Sequence, residues 1–128
     1  MKTAIFIWSI PKVLGAPGGI DMFSKKRAEY ICTILNEYFS DNEMQWKVIL
    51  DDTWADIDVI SKKGADLLLI APGGKGRFFI HRRSLIQSKA QIYYLDSLEY
   101  YNRDISKIIQ FIKDSDDTNM SRSGIYGI

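Results

Sequence analysis

The stretch "DLLLIA", residues Asp66–Ala71, decides the fold, and it runs straight into Pro72-Gly73-Gly74. Leu67, Leu68, Leu69 and Ile70 form a short apolar run that ends at a turn signal, the pattern of a buried strand rather than an amphipathic one. The same texture occurs near the start, where "TAIFIW" (Thr3–Trp8) is almost wholly apolar and reads as a strand covered on both faces.

Helical spacing separates such runs. In "DMFSKKRAEYICTILNEYF", Phe23, Ile31, Ile34, Leu35, Tyr38 and Phe39 recur at helical intervals, with Asp21 or Ser24 placed to cap. "WKVIL" (Trp46–Leu50) is the second strand. "DTWADIDVISKKG" reads as a helix capped by Thr53 and ended by Gly64, with Trp54, Ile57 and Ile60 facing inward. After the third strand, "RRSLIQS" reads as a short helix and "QIYYLD" (Gln91–Asp96) as the fourth strand. "NRDISKIIQFIKD" then closes the domain as a helix, with Asn102 as cap and Ile105, Ile108, Ile109 and Ile112 as its stripe. From Ser115 the polar "SDDTNMSRSGIYGI" reads as a flexible tail, partly held by Ile125, Tyr126 and Ile128.

Strand and helix alternate four times, which implies a parallel sheet wrapped on both faces. Right-handed crossovers leave a few strand orders, of which the flavodoxin-like order 2-1-3-4 is the one expected here, giving a three-layer α/β fold with a four-stranded parallel sheet. One domain, residues 1–114, carries it, followed by the tail at 115–128. A chain of 128 residues suits one domain with a real core.

Composition narrows the function classes. Seventeen Lys and Arg against sixteen Asp and Glu leave a net charge of +1, which argues against a wholesale nucleic-acid binder. A single cysteine, Cys32, excludes an internal disulfide framework, and with one histidine it does not suit a structural zinc site. No run reaches the roughly 20 apolar residues that a membrane span needs. The opening "MKTAIFIWSIPKVLGAPGG" has the charge and apolar run of a short signal peptide, but it reads better as the first strand. A cytoplasmic protein is the expectation.

The tetrapeptide Ala-Pro-Gly-Gly occurs twice, ending at Gly19 and at Gly74. Both copies follow strands that the expected order makes neighbours. Open parallel sheets bind ligands where the strand order reverses, beyond the carboxyl ends. Proline fixes φ, while glycine admits positive φ and leaves amides uncovered, so successive amides can form a nest for an anion. The candidate ligand-binding residues are Ser9, Gly18, Gly19, Gly73, Gly74, Lys75 and Arg77. The plainer reading is that both copies are turns.

Named motifs do not fit. "GGKGRFF" lacks the Ser or Thr and the glycine spacing of a P-loop, and the first loop lacks G-x-G-x-x-G. Strand 3 ends in Ala71 and Pro72, not in a phosphorylatable aspartate. The loop "SIPKVLGAPGGI" has only Ser9 where a mononucleotide loop would be rich in Ser and Thr. No cofactor and no metal are expected. Asp51 and Asp52 could join other carboxylates around Mg²⁺, but adjacent aspartates before Thr53 read first as capping residues. His81, alone among "RFFIHRR", reads as a surface residue before it reads as a base.

The second half resembles the IIB domain of the lactose/cellobiose-type sugar phosphotransferase system. The resemblance rests on "GADLLLIAPGGKGRFF" and "AQIYYLDSLEYYNRDISKIIQFIKD", from Asp66 to Asp114, together with the order of elements before them. In that family the third strand ends in a small-residue-proline turn, here at Pro72. An aspartate after the fourth strand precedes a tyrosine-containing segment, here Asp96, Tyr100 and Tyr101. The family's phospho-acceptor cysteine sits just after strand 1, where this chain has Trp8 and Ser9. Cys32 lies in mid-helix and cannot take that role.

The expectation is a non-catalytic binding or regulatory module, taking an anionic small molecule or a partner protein through the two loops. Two alternatives stand beside it. One is a phosphoryl carrier or small transferase using Ser9 or His81. The other is an oligonucleotide binder through Lys75–Arg83, where Phe78 and Phe79 alternate with cations. Tyr100 and Tyr101 with Trp54 could form a sticky surface suited to self-association.

Overall fold

A computed structural model describes residues 1–9, 22–72 and 89–124, with side chains for all of these except 22–24 and 117–124. Four strands, β1 (Lys2–Ile7), β2 (Trp46–Leu50), β3 (Leu67–Ile70) and β4 (Gln91–Tyr94), form one sheet in the order β2-β1-β3-β4. All three pairings are parallel. The helices of the described residues are α1 (Met22–Asp41), α2 (Ile57–Ser61), α3 (Ser97–Tyr101) and α4 (Ser106–Gly124). This is the three-layer, flavodoxin-like arrangement that the alternation of textures implies.

The period of two along a strand sorts the core into two halves. Ala4, Phe6 and Trp8 of the first strand join Leu67 and Leu69 against Ala28, Ile31, Leu35 and Phe39 of α1 and Ile108, Ile109 and Ile112 of α4. Ile5, Ile7, Leu68 and Ile70 point the other way, onto Ala55, Ile57 and Ile60. The central strands are thus buried on both faces, and unbroken apolar runs rather than alternating ones are what such strands require.

Edge strand β2 is covered by a side chain. Asn36 of α1 donates to the Val48 carbonyl at 3.0 Å and accepts from the Val48 amide at 2.9 Å. One side-chain amide thereby takes the part of a neighbouring strand on an edge that would otherwise present free backbone groups.

Local chemistry moves several boundaries. The helix expected from Thr53 begins only at Ile57, with Asp56 as cap accepting from the Val59 amide. Trp54 and Ala55 have φ of 58° and 61°, which a right-handed helix excludes. Trp54 is accordingly 53% exposed instead of facing inward. Asn102 caps the end of α3, not the start of α4. The turn into α4 is instead fixed by Asp104, which accepts from the Ser106 amide and hydroxyl. Finally, α4 runs on to Gly124, past the Ser115 from which a loose tail was expected. Asp116 holds it there, accepting from Lys2 Nζ at 3.0 Å and Trp46 Nε1 at 2.9 Å.

Helix α3 has no counterpart in the sequence reading, although its signal is present. Asp96 and Glu99 stand three apart, the spacing of a capping box, and both reciprocal hydrogen bonds form.

Candidate functional site

Parallel pairing brings all four strands out at one rim. The register sets Ile7 beside Ile70, and the Ala71 amide donates to the Ile7 carbonyl at 3.0 Å. On the outer sides, the Asp51 amide donates to Phe6 and the Leu95 amide to Ile70, each at 2.9 Å. Trp8-Ser9, Asp51-Asp52, Ala71-Pro72 and Leu95-Asp96 therefore leave the sheet side by side. The segments that carry the two Ala-Pro-Gly-Gly phrases start from adjacent strands at this rim.

Of the sequence-derived site residues, Ser9 lies within the described part of the chain. It is 6% exposed, and its Oγ has no hydrogen-bond partner among the described residues. A buried hydroxyl in that state carries a desolvation cost of about 1–3 kcal/mol, so such groups are few. Gly18, Gly19, Gly73, Gly74, Lys75 and Arg77 lie outside the described residues, as do His81, Phe78, Phe79, the "RRSLIQS" segment, Ile125, Tyr126 and Ile128, and the side chain of Phe23. The Asp21 position and the Ser24 side chain also fall outside them.

Asp51 organises the rim beside Trp8. It is 2% exposed. Its Oδ1 accepts from the Thr53 amide at 3.0 Å and the Thr53 hydroxyl at 2.6 Å, and its Oδ2 accepts from the Ala55 amide at 2.7 Å. Its own carbonyl accepts from Trp8 Nε1 at 3.0 Å. These bonds hold Trp54 in the left-handed region, which costs a non-glycine residue roughly 1–2 kcal/mol. The Trp54 ring meets Trp8 edge-on, with centroids 5.2 Å apart at 62°. Lys25 Nζ lies 5.7 Å from the Trp8 ring. A cleft of about 360 Å³ opens between them, bordered by Glu29, Leu50 and Asp52. Asp52 is drawn off by Lys63 at 3.0 Å, whose hydrogen bond and charge lower its pKa. Among the described residues no cluster of His, Cys, Asp or Glu is disposed to hold a metal ion.

A second polar group forms where β4 meets α3. Buried Glu99 accepts from the Tyr93 hydroxyl at 3.0 Å through Oε2 and from the Asp96 amide at 3.1 Å through Oε1. Burial pushes the Glu99 carboxyl above its ordinary value, against the opposing pull of the Tyr93 hydrogen bond. Burial, and then the bond to Glu99, raise Tyr93 as well. Asp96 goes the other way, lowered by the Glu99 amide and by Lys107 at 3.0 Å. Asp96, one of the residues carrying the family resemblance, is therefore a helix cap in an exposed ion pair.

Tyr100 and Tyr101 part company. Tyr100 is 2% exposed, its ring stacked over Phe6 at 6.2 Å, so it contributes to the core and not to a sticky surface. Tyr101 is 60% exposed. The Arg27 guanidinium lies 5.7 Å from the Tyr100 ring and 4.6 Å from the Tyr101 ring, and its Nε has no hydrogen-bond partner among the described residues. Arg27 sits near the start of α1, the helix that the first Ala-Pro-Gly-Gly segment feeds. Nothing in the spacing of "SKKRAEY" distinguishes Arg27 from Lys25 and Lys26; only packing against α3 does so.

Cys32 is buried in α1 among core residues. Burial, aided by the charge of Glu29, pushes its thiol up to about 12. No protein-family model, no curated protein and no solved structure matches the chain. Among the described residues no helix is long and apolar enough to cross a membrane.

Proposed function

We propose that this protein is a non-catalytic regulatory module that recognises an anionic ligand over the junction of β1 and β3, with a form like that of a phosphotransferase IIB domain but without its thiol relay. The observation that carries the reading is the side-by-side exit of these two strands, with Ile7 and Ile70 in register and each strand followed by its own Pro-Gly-Gly. Reversal points of this kind are where open parallel sheets bind ligands. In this reading the amides of Gly18, Gly19, Gly73 and Gly74 supply a nest, Lys75 and Arg77 supply charge, and the Ser9 hydroxyl donates from below. Arg27, ordered by Tyr100 and Tyr101, adds a cation near the same rim. The thiol chemistry of the resembling family has no counterpart, because Cys32 is buried and its thiol is hard to ionise.

The test is a titration of the ¹⁵N-labelled protein with inorganic phosphate and with a sugar phosphate. The reading expects saturable shifts at Ser9 and at the two glycine pairs, lost in the Lys75→Ala/Arg77→Ala double variant. No saturable shift with either anion would overturn it. Intact mass after incubation with phosphorylated phosphocarrier protein and IIA component addresses the carrier alternative. The mass should be unchanged, and one added phosphate would transfer the assignment to Ser9 or His81.

A further inference from the structure

The cleft beside Trp8 differs in chemistry from the anion site. Two indole rings meet at 62° with centroids 5.2 Å apart, so they form a corner and not a stack. Trp54 is half exposed, whereas Trp8 is only 5% exposed and has Lys25 over its ring. Among the described residues, the remaining charges lining the cleft are those of Glu29, Asp51 and Asp52, the last paired with Lys63 at 3.0 Å. With Asp52 offset by Lys63, Glu29 and Asp51 stand against Lys25 and leave the lining with a surplus of one negative charge, and indole faces are themselves the negative part of the ring quadrupole. An anion would meet repulsion here. A cation would find both a favourable field and aromatic walls.

The protein already puts a cation on this surface. Lys25 Nζ, 5.7 Å from the Trp8 centroid, lies within the distance at which a ring attracts a positive group. Lys25 belongs to α1 and can swing away without disturbing the sheet. Its departure would uncover the Trp8 face beside the Trp54 ring, which the hydrogen bonds of Asp51 hold in place. A cleft of about 360 Å³ has room for a small ligand.

We propose that this cleft binds a small organic cation of the quaternary-ammonium class. Trp8 and Trp54 are its walls and Glu29 is its counter-charge. Lys25 occupies the site in the absence of ligand and is displaced by it. Alkylated ammonium groups suit such a corner because they are weakly hydrated and spread their charge over methyl surface.

The experiment titrates the full chain with tetramethylammonium and choline, following the indole Nε1–H resonances. Trp46, bonded to Asp116 at the opposite rim, serves as the internal control. The expected result is saturable shifts at Trp8 and Trp54 with none at Trp46. Lys25→Met should bind at least threefold more tightly, since it removes the resident cation. Trp54→Leu, at a half-exposed position, should weaken binding about tenfold. Glu29→Gln, on the surface of α1, should weaken it less. Sodium chloride at equal ionic strength and the neutral isostere tert-butanol complete the set. Equal response to tert-butanol would make the cleft a merely apolar pocket. No saturable shift with either ammonium, or tighter binding that fails to appear in Lys25→Met, would overturn the proposal.

Discussion

Trp8 Nε1 donates a 3.0 Å hydrogen bond to the backbone carbonyl of Asp51, joining the ends of two neighbouring strands across 43 positions of sequence. The same aspartate uses both carboxylate oxygens to shape the turn that presents Trp54 to Trp8. One buried residue thus couples the sheet edge to the aromatic cleft.

Asp51→Ala should cost about 3 kcal/mol, because it leaves the buried Ala55 amide unpaired and also frees Thr53. Asp51→Asn should cost less, since an amide oxygen can still accept from Thr53. Urea unfolding of the three proteins measures the difference. An alanine variant as stable as the parent would show that the turn holds itself without the carboxylate.

Removing the Asn36 amide uncovers both backbone groups of Val48. Asn36→Ala should lose about 1–2 kcal/mol and should self-associate through the exposed β2 edge at high concentration. Sedimentation velocity across a concentration series reads the second effect. A stable, monomeric Asn36→Ala would refute the edge-covering role.

For Cys32, a thiol pushed up to about 12 leaves only roughly one part in ten thousand as thiolate at pH 8. Labelling by Ellman's reagent should therefore follow the unfolding rate and accelerate on adding denaturant. Stoichiometric labelling of the folded protein within seconds would contradict the burial of this side chain.

The Glu99 carboxyl titrates above its ordinary value because it is buried. Its ionised form is the one that folding disfavours. Its contribution to stability is therefore greatest below the ordinary carboxylate value and declines as pH rises through the raised one. Tyr93→Phe removes the hydrogen bond that opposes the shift, so Glu99 should move higher still. Carbon-13 titration of the Glu99 carboxyl in both proteins reads this directly, and a lower value in Tyr93→Phe would reverse the assignment.

Asp116 fastens the second half of α4 to Lys2 and Trp46. The Lys2 pair is partly exposed and contributes little by itself, so Asp116→Ala should cost about 1 kcal/mol, mainly through Trp46. Amide exchange should speed up in residues 115–124 and hardly change in residues 106–112. Uniform exchange along the helix in the variant would mean that Asp116 does not anchor it.

Patterns with a short period carried the fold in the sequence. The apolar runs of β1 and β3 and the stripe of Ile108, Ile109 and Ile112 record burial directly, since a side chain's face follows from its position along a strand or helix. The need to bury such runs on both sides puts β1 and β3 inside the sheet, and right-handed crossovers leave a few orders that satisfy it. The reach of α4 to Gly124 was not legible, because its partner for Asp116 is Trp46, seventy positions away.

By itself, then, the linear order of residues determined the α/β class and the parallel sheet, and it singled out the order 2-1-3-4 from the few that right-handed crossovers allow. Only the tertiary structure decided what each polar residue does there. Asp51 could be metal ligand or cap, Trp54 core or surface, Tyr100 surface or core, and Arg27 was one cation among several. Hydrophobic period is a local property that burial imprints on neighbours in sequence. The role of a carboxylate or a ring depends on which atoms lie within a few ångströms, and those come from distant parts of the chain.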